Sequence, residues 1–162
     1  MRLMTIAVAS SLLLAAFGAL PSPARADDAQ VGYYYPKPQT VEHYRARVAT
    51  LPESDRNRRL AFVTGLSKAN DTRPYAPTYI VFAKGDDSDK LIIVGTMDGE
   101  LNTLYRSRAL LASLTAAARL TEFFQKNSIA EYATFLDFMK LLGFKEVTVT
   151  NGVAFAHQIK IE

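Results

Sequence analysis

The sequence contains no cysteine, which removes disulfides, thiolate metal sites and a cysteine nucleophile in one step. A domain without disulfides has to be held together by its core. Histidine is scarce too: His43 and His157 lie 114 positions apart, and neither belongs to H-E-x-x-H or a related spacing, so no zinc site is expected. The eight glycines are dispersed, and Gly65, Gly95, Gly99, Gly143 and Gly152 form neither a phosphate loop nor a dinucleotide fingerprint. Ser54-Asp55 and Ser107 lack the G-x-S-x-G setting of a serine hydrolase. No apolar run reaches the roughly 20 residues that cross a bilayer. There is no internal repeat and no low-complexity tract. The expectation is therefore no cofactor, no metal and no membrane span in the mature chain.

What is present begins with a leader. Arg2 supplies a short basic stretch, Ile6 to Leu20 are apolar, and Pro21-Ser22-Pro23 precedes Ala24-Arg25-Ala26, an A-x-A cleavage signal. The expectation is export to the periplasm or outside the cell, with cleavage after Ala26; an uncleaved anchor is the competing reading. The chain has 19 Lys+Arg against 16 Asp+Glu, but Arg2 and Arg25 leave with the leader, so the remaining 17 against 16 gives a net of +1. A near-neutral chain lacks the concentrated basic face that nucleic-acid binding needs. The 136 residues after Ala26 suit one domain with a sizeable interior. The division is a signal peptide over 1–26, an extended N-terminal arm over 27–38 and a single domain over 39–162.

In the arm, "GYYYPKP" carries Pro36 and Pro38, which favour extended backbone. Tyr33, Tyr34 and Tyr35 could form a binding patch or pack on the domain's own surface. His43 to Val48 alternates and predicts a strand with Tyr44, Ala46 and Val48 inward, a helix being the other reading. Leu60 to Leu66 predicts a second strand, Thr78 to Ala83 a third and Leu91 to Thr96 a fourth. The third and fourth are joined by a short loop and should form an antiparallel hairpin. Asn102 or Thr103 can cap a helix reaching about Ala118, followed by a short one around Glu122 to Lys126, either separate from it or continuous with it. Ser128 and Glu131 match the S-x-x-E capping box of a helix ending at Leu142, with Gly143 as its terminator and Ile129, Tyr132, Phe135, Leu136, Met139 and Leu142 lining it. The C-terminal stretch carries a hairpin signal at Asn151-Gly152. Strands, then helices, then a hairpin predict an α+β fold: a mainly antiparallel sheet with two to three helices packed on one face.

Three places gather possible chemistry. Asp86, Asp87 and Asp89 sit in a turn with Ser88, but they offer too few oxygen ligands for calcium and lie between Lys84 and Lys90, so a solvated hairpin tip is expected. From Leu101 to Thr121 the only charged residues are Arg106, Arg108 and Arg119. Arg108 and Arg119, about three turns apart, share a helix face. With Arg56, Arg58 or Arg59 they could form an anion site; the other reading is ion pairing with separate acids or packing at the core's edge. Last, a three-residue loop over Thr150–Gly152 would pair Val149 with Val153 and Val147 with Phe155. His157 then lies on the apolar face near Lys145, neutral, in a structural role or in a pocket.

At "DRNRRLAFVTGLSKA", "FAKGDDSDKLIIV", "NTLYRSRALLASLTA" and "LGFKEVTVTNGVAFAHQIKIE" the chain resembles a family of small exported proteobacterial proteins of unknown function. Some members carry a name from molybdopterin-guanine dinucleotide biosynthesis, which implies a cytoplasmic nucleotidyltransferase with a glycine-rich loop. No such loop occurs in this sequence, and no site residue is transferred. The functional expectation is a non-catalytic binding or envelope-associated domain whose partner is a protein, an envelope component or a small ligand. The alternative is an anion-binding protein or enzyme using Arg58, Arg106, Arg108 and Arg119, with His157 at a pocket.

Overall fold

The computed structural model describes residues 36–162 apart from Arg73. The leader and the arm up to Tyr35 lie outside the described residues. Among the described residues the fold is α+β, with a five-stranded mixed sheet and four helices.

The first strand, β1, spans Thr40–Tyr44 and stops short of the expected His43–Val48. The expected second strand is a helix, α1, over Arg56–Asp71. Asp55 caps it by accepting the Arg58 amide at 2.7 Å. Arg59, Val63 and Asn70 fall on its buried face, with Leu66 partly buried beside them. The stretch from Leu60 to Leu66, apolar apart from Thr64 and Gly65, fits either a strand or a helix by periodicity, and the capping aspartate and helix-compatible flanks decide the outcome. Strands β2 (Tyr79–Lys84) and β3 (Lys90–Gly95) form the expected antiparallel hairpin.

Next come α2 (Leu104–Arg119), capped by Thr103, and α3 (Glu122–Lys126). The last helix, α4 (Phe135–Leu141), begins later than expected. Its capping box is Thr134 with Asp137, whereas Ser128 has a left-handed φ of 55°. Tyr132, expected to line this helix, is exposed. Gly143, at φ 78°, follows it, and a side chain there would collide with Ser54 and Arg59.

Strands β4 (Glu146–Thr150) and β5 (Ala156–Ile161) make the C-terminal hairpin. The sheet order is β1-β5-β4-β3-β2. The β2–β3 and β4–β5 pairs are antiparallel, but β1–β5 and β3–β4 are parallel. The expectation of a mainly antiparallel sheet is thus corrected. Three helices between β3 and β4 form the crossover that a parallel pair requires, and β1 meets β5 across more than a hundred residues of sequence.

The hairpin register also differs from the expectation. Val149 pairs with His157 and Val147 with Ile159, leaving a five-residue loop, 151–155. Asn151 Oδ1 accepts the amides of Val153, Ala154 and Phe155 at 2.9–3.1 Å, so one side chain satisfies the loop that the shorter turn would have avoided. Val153 is exposed rather than paired, and Phe155 lies in the loop.

Tyr79, Val81, Leu91, Ile93, Val147, Val149, Ile159 and Ile161 point from the sheet into one core with Val63, Leu111, Leu114, Phe135 and Met139 of the helices. A satellite cluster holds Ala118, Phe124, Ile129, Ala133 and Leu141. None of the side chains on the opposite sheet face belongs to either cluster.

Candidate functional site

The arginines stand at different places. Arg106, at the start of α2, donates to the Gly99 carbonyl. Arg108, one half-turn on, pairs with Glu42 at 3.2 Å. Arg119, at the far end of α2, donates to the Ala133 carbonyl at 3.1 Å. Arg58 pairs with Glu53 at 2.8 Å. Each guanidinium therefore has its own partner. Arg59 is the buried one, and it donates from Nε and Nη2 to the Asp87 carbonyl at 3.1 and 2.8 Å.

That contact explains the acidic turn. Arg59 holds the backbone of Asp87, Lys145 Nζ meets Asp89 Oδ2 at 2.8 Å, and the Lys145 amide donates to the Asp89 carbonyl. The hydrogen bond that Lys145 donates to the Asp89 carboxylate raises the Lys145 ammonium above the usual lysine range. Ser88 is buried with φ 55°. A polar depression of about 610 Å³ lies beside the turn, lined by Arg56, Lys84, Lys90 and Lys145 as well as the acids. Among the described residues no group of three or more His, Cys, Asp or Glu is placed to hold a metal ion.

His157 is buried on the apolar face of the hairpin, with Val149 rather than Lys145 across from it. Its Nδ1 lies 2.8 Å from Thr40 Oγ1, and its Nε2 lies 3.5 Å from Glu42 Oε2 without a hydrogen bond. Burial pushes its pKa below the usual histidine value, against the pull of Glu42. Among the described residues the ring touches no cavity identified in the fold.

Asp137 was legible only as the fourth residue of a T-x-x-D spacing. It is fully buried on α4. Its carboxylate accepts from the Arg47 amide at 2.8 Å, the Thr134 amide at 2.8 Å, the Thr134 hydroxyl at 3.0 Å and the Tyr44 hydroxyl at 2.9 Å. Burial acts to raise its pKa, but these bonds outweigh it and hold the carboxyl below the usual aspartate range. Burial likewise raises the Tyr44 phenol. This carboxylate clamps the end of β1 to the start of α4, accepting one bond at Oδ1 and three at Oδ2.

One concavity is mainly apolar. About 240 Å³ in volume, it lies between the start of β2 and the first turns of α2, lined by Thr78, Tyr79, Glu100, Leu101, Arg106 and Leu110 with Ala109. Leu101 sits at its floor, buried and at φ 50°, a left-handed conformation that costs a leucine about 1–2 kcal/mol. Burying the side chain offsets a cost of that size. Tyr105 and Met97, both exposed, flank this cleft in sequence. Of the residues read as candidates from the sequence, only Arg106 lies there.

Compared with known proteins, the chain matches no family model, no curated protein and no solved structure. Among the described residues, no helix is long and apolar enough to cross a membrane.

Proposed function

We propose that the protein is an exported, non-catalytic binding domain whose ligand surface is the cleft between β2 and α2. The observation that carries this reading is the cleft itself: Tyr79, Leu101 and Leu110 line it together with one arginine, Arg106, and one acid, Glu100, and Leu101 holds a left-handed φ of 50°. A cleft of this kind takes an apolar group, such as a side chain or a short acyl chain, with a polar or anionic end at Arg106. Export rests on the leader ending at Ala26, and it agrees with the resemblance to small exported proteobacterial proteins. The alternative, an anion site or enzyme built on Arg58, Arg106, Arg108 and Arg119, has less support. Their separate partners leave no shared centre for a substrate, and the buried His157 and Asp137 face structural groups.

A photo-crosslinking residue placed at the exposed Tyr105, next to the cleft-lining Arg106 in sequence, tests this in the cells that export the protein. The expected result is a discrete adduct from Tyr105 and none from Leu120, which is equally exposed at the other end of α2. Equal labelling from both positions, or from neither, sinks the reading.

A further inference from the structure

A cavity of about 270 Å³ lies where the loop before α1, the acidic turn and the end of α4 meet. It adjoins the polar depression at that turn, sharing Asp87, Asp89 and Lys145 with it, and has no residue in common with the cleft between β2 and α2. The buried Arg59 lines it. This guanidinium bonds only to backbone, to the Asp87 carbonyl and, at a long 3.4 Å from Nη1, to the Leu142 carbonyl. Among the described residues no carboxylate forms an ion pair with it, and some of its N–H groups have no acceptor. Lys140, on α4, lines the same cavity and makes no ion pair either. Of the two acids lining it, Asp89 is already paired with Lys145 at 2.8 Å, and Asp87 meets Arg59 through its carbonyl. Ser54 adds a second unmet demand, since its Oγ is buried without a hydrogen-bond partner. An uncompensated charge and an orphaned hydroxyl are both costly out of water.

We infer that this cavity is a binding site for a phosphate group, held by Ser54, Arg59 and Lys140. Gly143 makes the convergence possible. A Cβ at that position would lie 2.3 Å from Ser54 Oγ and 2.8 Å from Arg59 Nη1, so the bare glycine leaves both donors beside one spot, close enough for a single phosphate to accept from each. The guanidinium supplies a planar fork suited to phosphate, and the lysine supplies a point charge. Charge selects among oxyanions. The two cations that lack an acid partner match a phosphate monoester, which carries about −1.5 to −2 at pH 7, better than a lone carboxylate. Size points the same way, because the volume falls short of the roughly 300–1,000 Å³ of pockets that enclose drug-sized ligands. The cavity therefore takes one small group, either the free ion or the phosphate end of an ester. It is independent of the cleft at Leu101, and either site can fail without the other.

Amide NMR of the purified full chain at pH 7 tests the site, with inorganic phosphate titrated at constant ionic strength against chloride. Saturable shifts are expected at Ser54, Gly143 and Phe144, with half-saturation at about 1 mM or below, and none at Leu101 or Arg106. Arg59→Met should abolish them, but that change also releases the acidic turn. Lys140→Gln and Ser54→Ala therefore carry the test, because neither side chain bonds to another part of the fold. Each should weaken binding about tenfold, the worth of one hydrogen bond to a charged group, while Lys126→Gln on α3 should leave it unchanged. Glycerol 3-phosphate separates the two sources: additional shifts at the exposed Thr50 mark an ester, and shifts equal to those of phosphate mark the free ion, both in favour of the site. The proposal is overturned if the shifts grow linearly with phosphate and are matched by chloride, if acetate binds as tightly as phosphate, or if Lys140→Gln and Ser54→Ala both bind phosphate as the natural chain does.

Discussion

Asp137 has only apolar neighbours in its helix, Phe135, Leu136, Phe138 and Met139, is sealed from water and takes four hydrogen bonds, whereas Asp86, Asp87 and Asp89 crowd one turn in which Arg59 grips a backbone carbonyl. In the conspicuous cluster the turn is tied down through the Asp87 carbonyl and the Asp89 side chain, which pairs with Lys145 at 2.8 Å, while Asp86 stays exposed. A carboxylate's structural weight follows from how many donors would be orphaned without it, and not from how many other carboxylates lie beside it.

The largest effect should come from Asp137→Ala, which leaves the Arg47 and Thr134 amides and the Tyr44 hydroxyl without their acceptor. A loss of about 3 kcal/mol or more is expected in urea unfolding. A loss below about 1 kcal/mol would erase the contrast with the turn.

Arg59→Met comes next, at about 2 kcal/mol. It keeps the aliphatic packing but releases the Asp87 carbonyl, so amide exchange should accelerate at Ser88 and Lys145, both bonded within this corner. Unchanged exchange there would show that the turn holds itself.

Acid should separate two buried groups. The folded pKa of Asp137 lies below that of the unfolded chain, so its contribution is complete above the ordinary aspartate value of about 3.9 and is lost as pH falls through the lower folded value. His157 is also depressed in the fold, so its contribution is complete above about pH 6.5 and drains away as pH falls below that toward the folded value. Stability measured from pH 7 to pH 5 should therefore fall in the natural protein and fall less in His157→Gln. Parallel profiles would refute the assignment of His157 as a neutral, desolvated ring.

Asp86→Ala should be the mildest, within about 0.5 kcal/mol, because the side chain is exposed at the tip of the turn. Calorimetric titration should give no calcium binding for either chain; micromolar heat lost on Asp87→Ala would reverse the reading of the turn.

The local alphabet of the fold was written in short-range signals. The β2–β3 hairpin, the Thr103 cap with α2, the short α3 and the Gly143 stop each depend on residues within a few positions of one another, and each was legible. Where two local signals competed, the sequence misdirected. Ser128 and Glu131 spelled a capping box, but Thr134 and Asp137 formed it, because Tyr44 and Arg47 supply donors from ninety residues or more away. Leu60 to Leu66 suited a strand in isolation and became helix between compatible flanks.

His157 was placed on the buried face from alternation alone, since a period of two fixes which side a residue takes even when the loop length is wrong. Its neighbours were not, because Asn151 satisfies three loop amides and so permits a five-residue loop and a different partner strand position. The composition and the alternation thus settled that this chain makes an α+β core without disulfides, and which face of each strand enters it. The pairing of β1 with β5, the separation of the arginines and the cleft beneath Arg106 were settled by chain folding over long distances. Contacts between residues a hundred positions apart leave no periodicity in a single sequence, and a charged side chain's partner is fixed only when the backbone has brought one within reach.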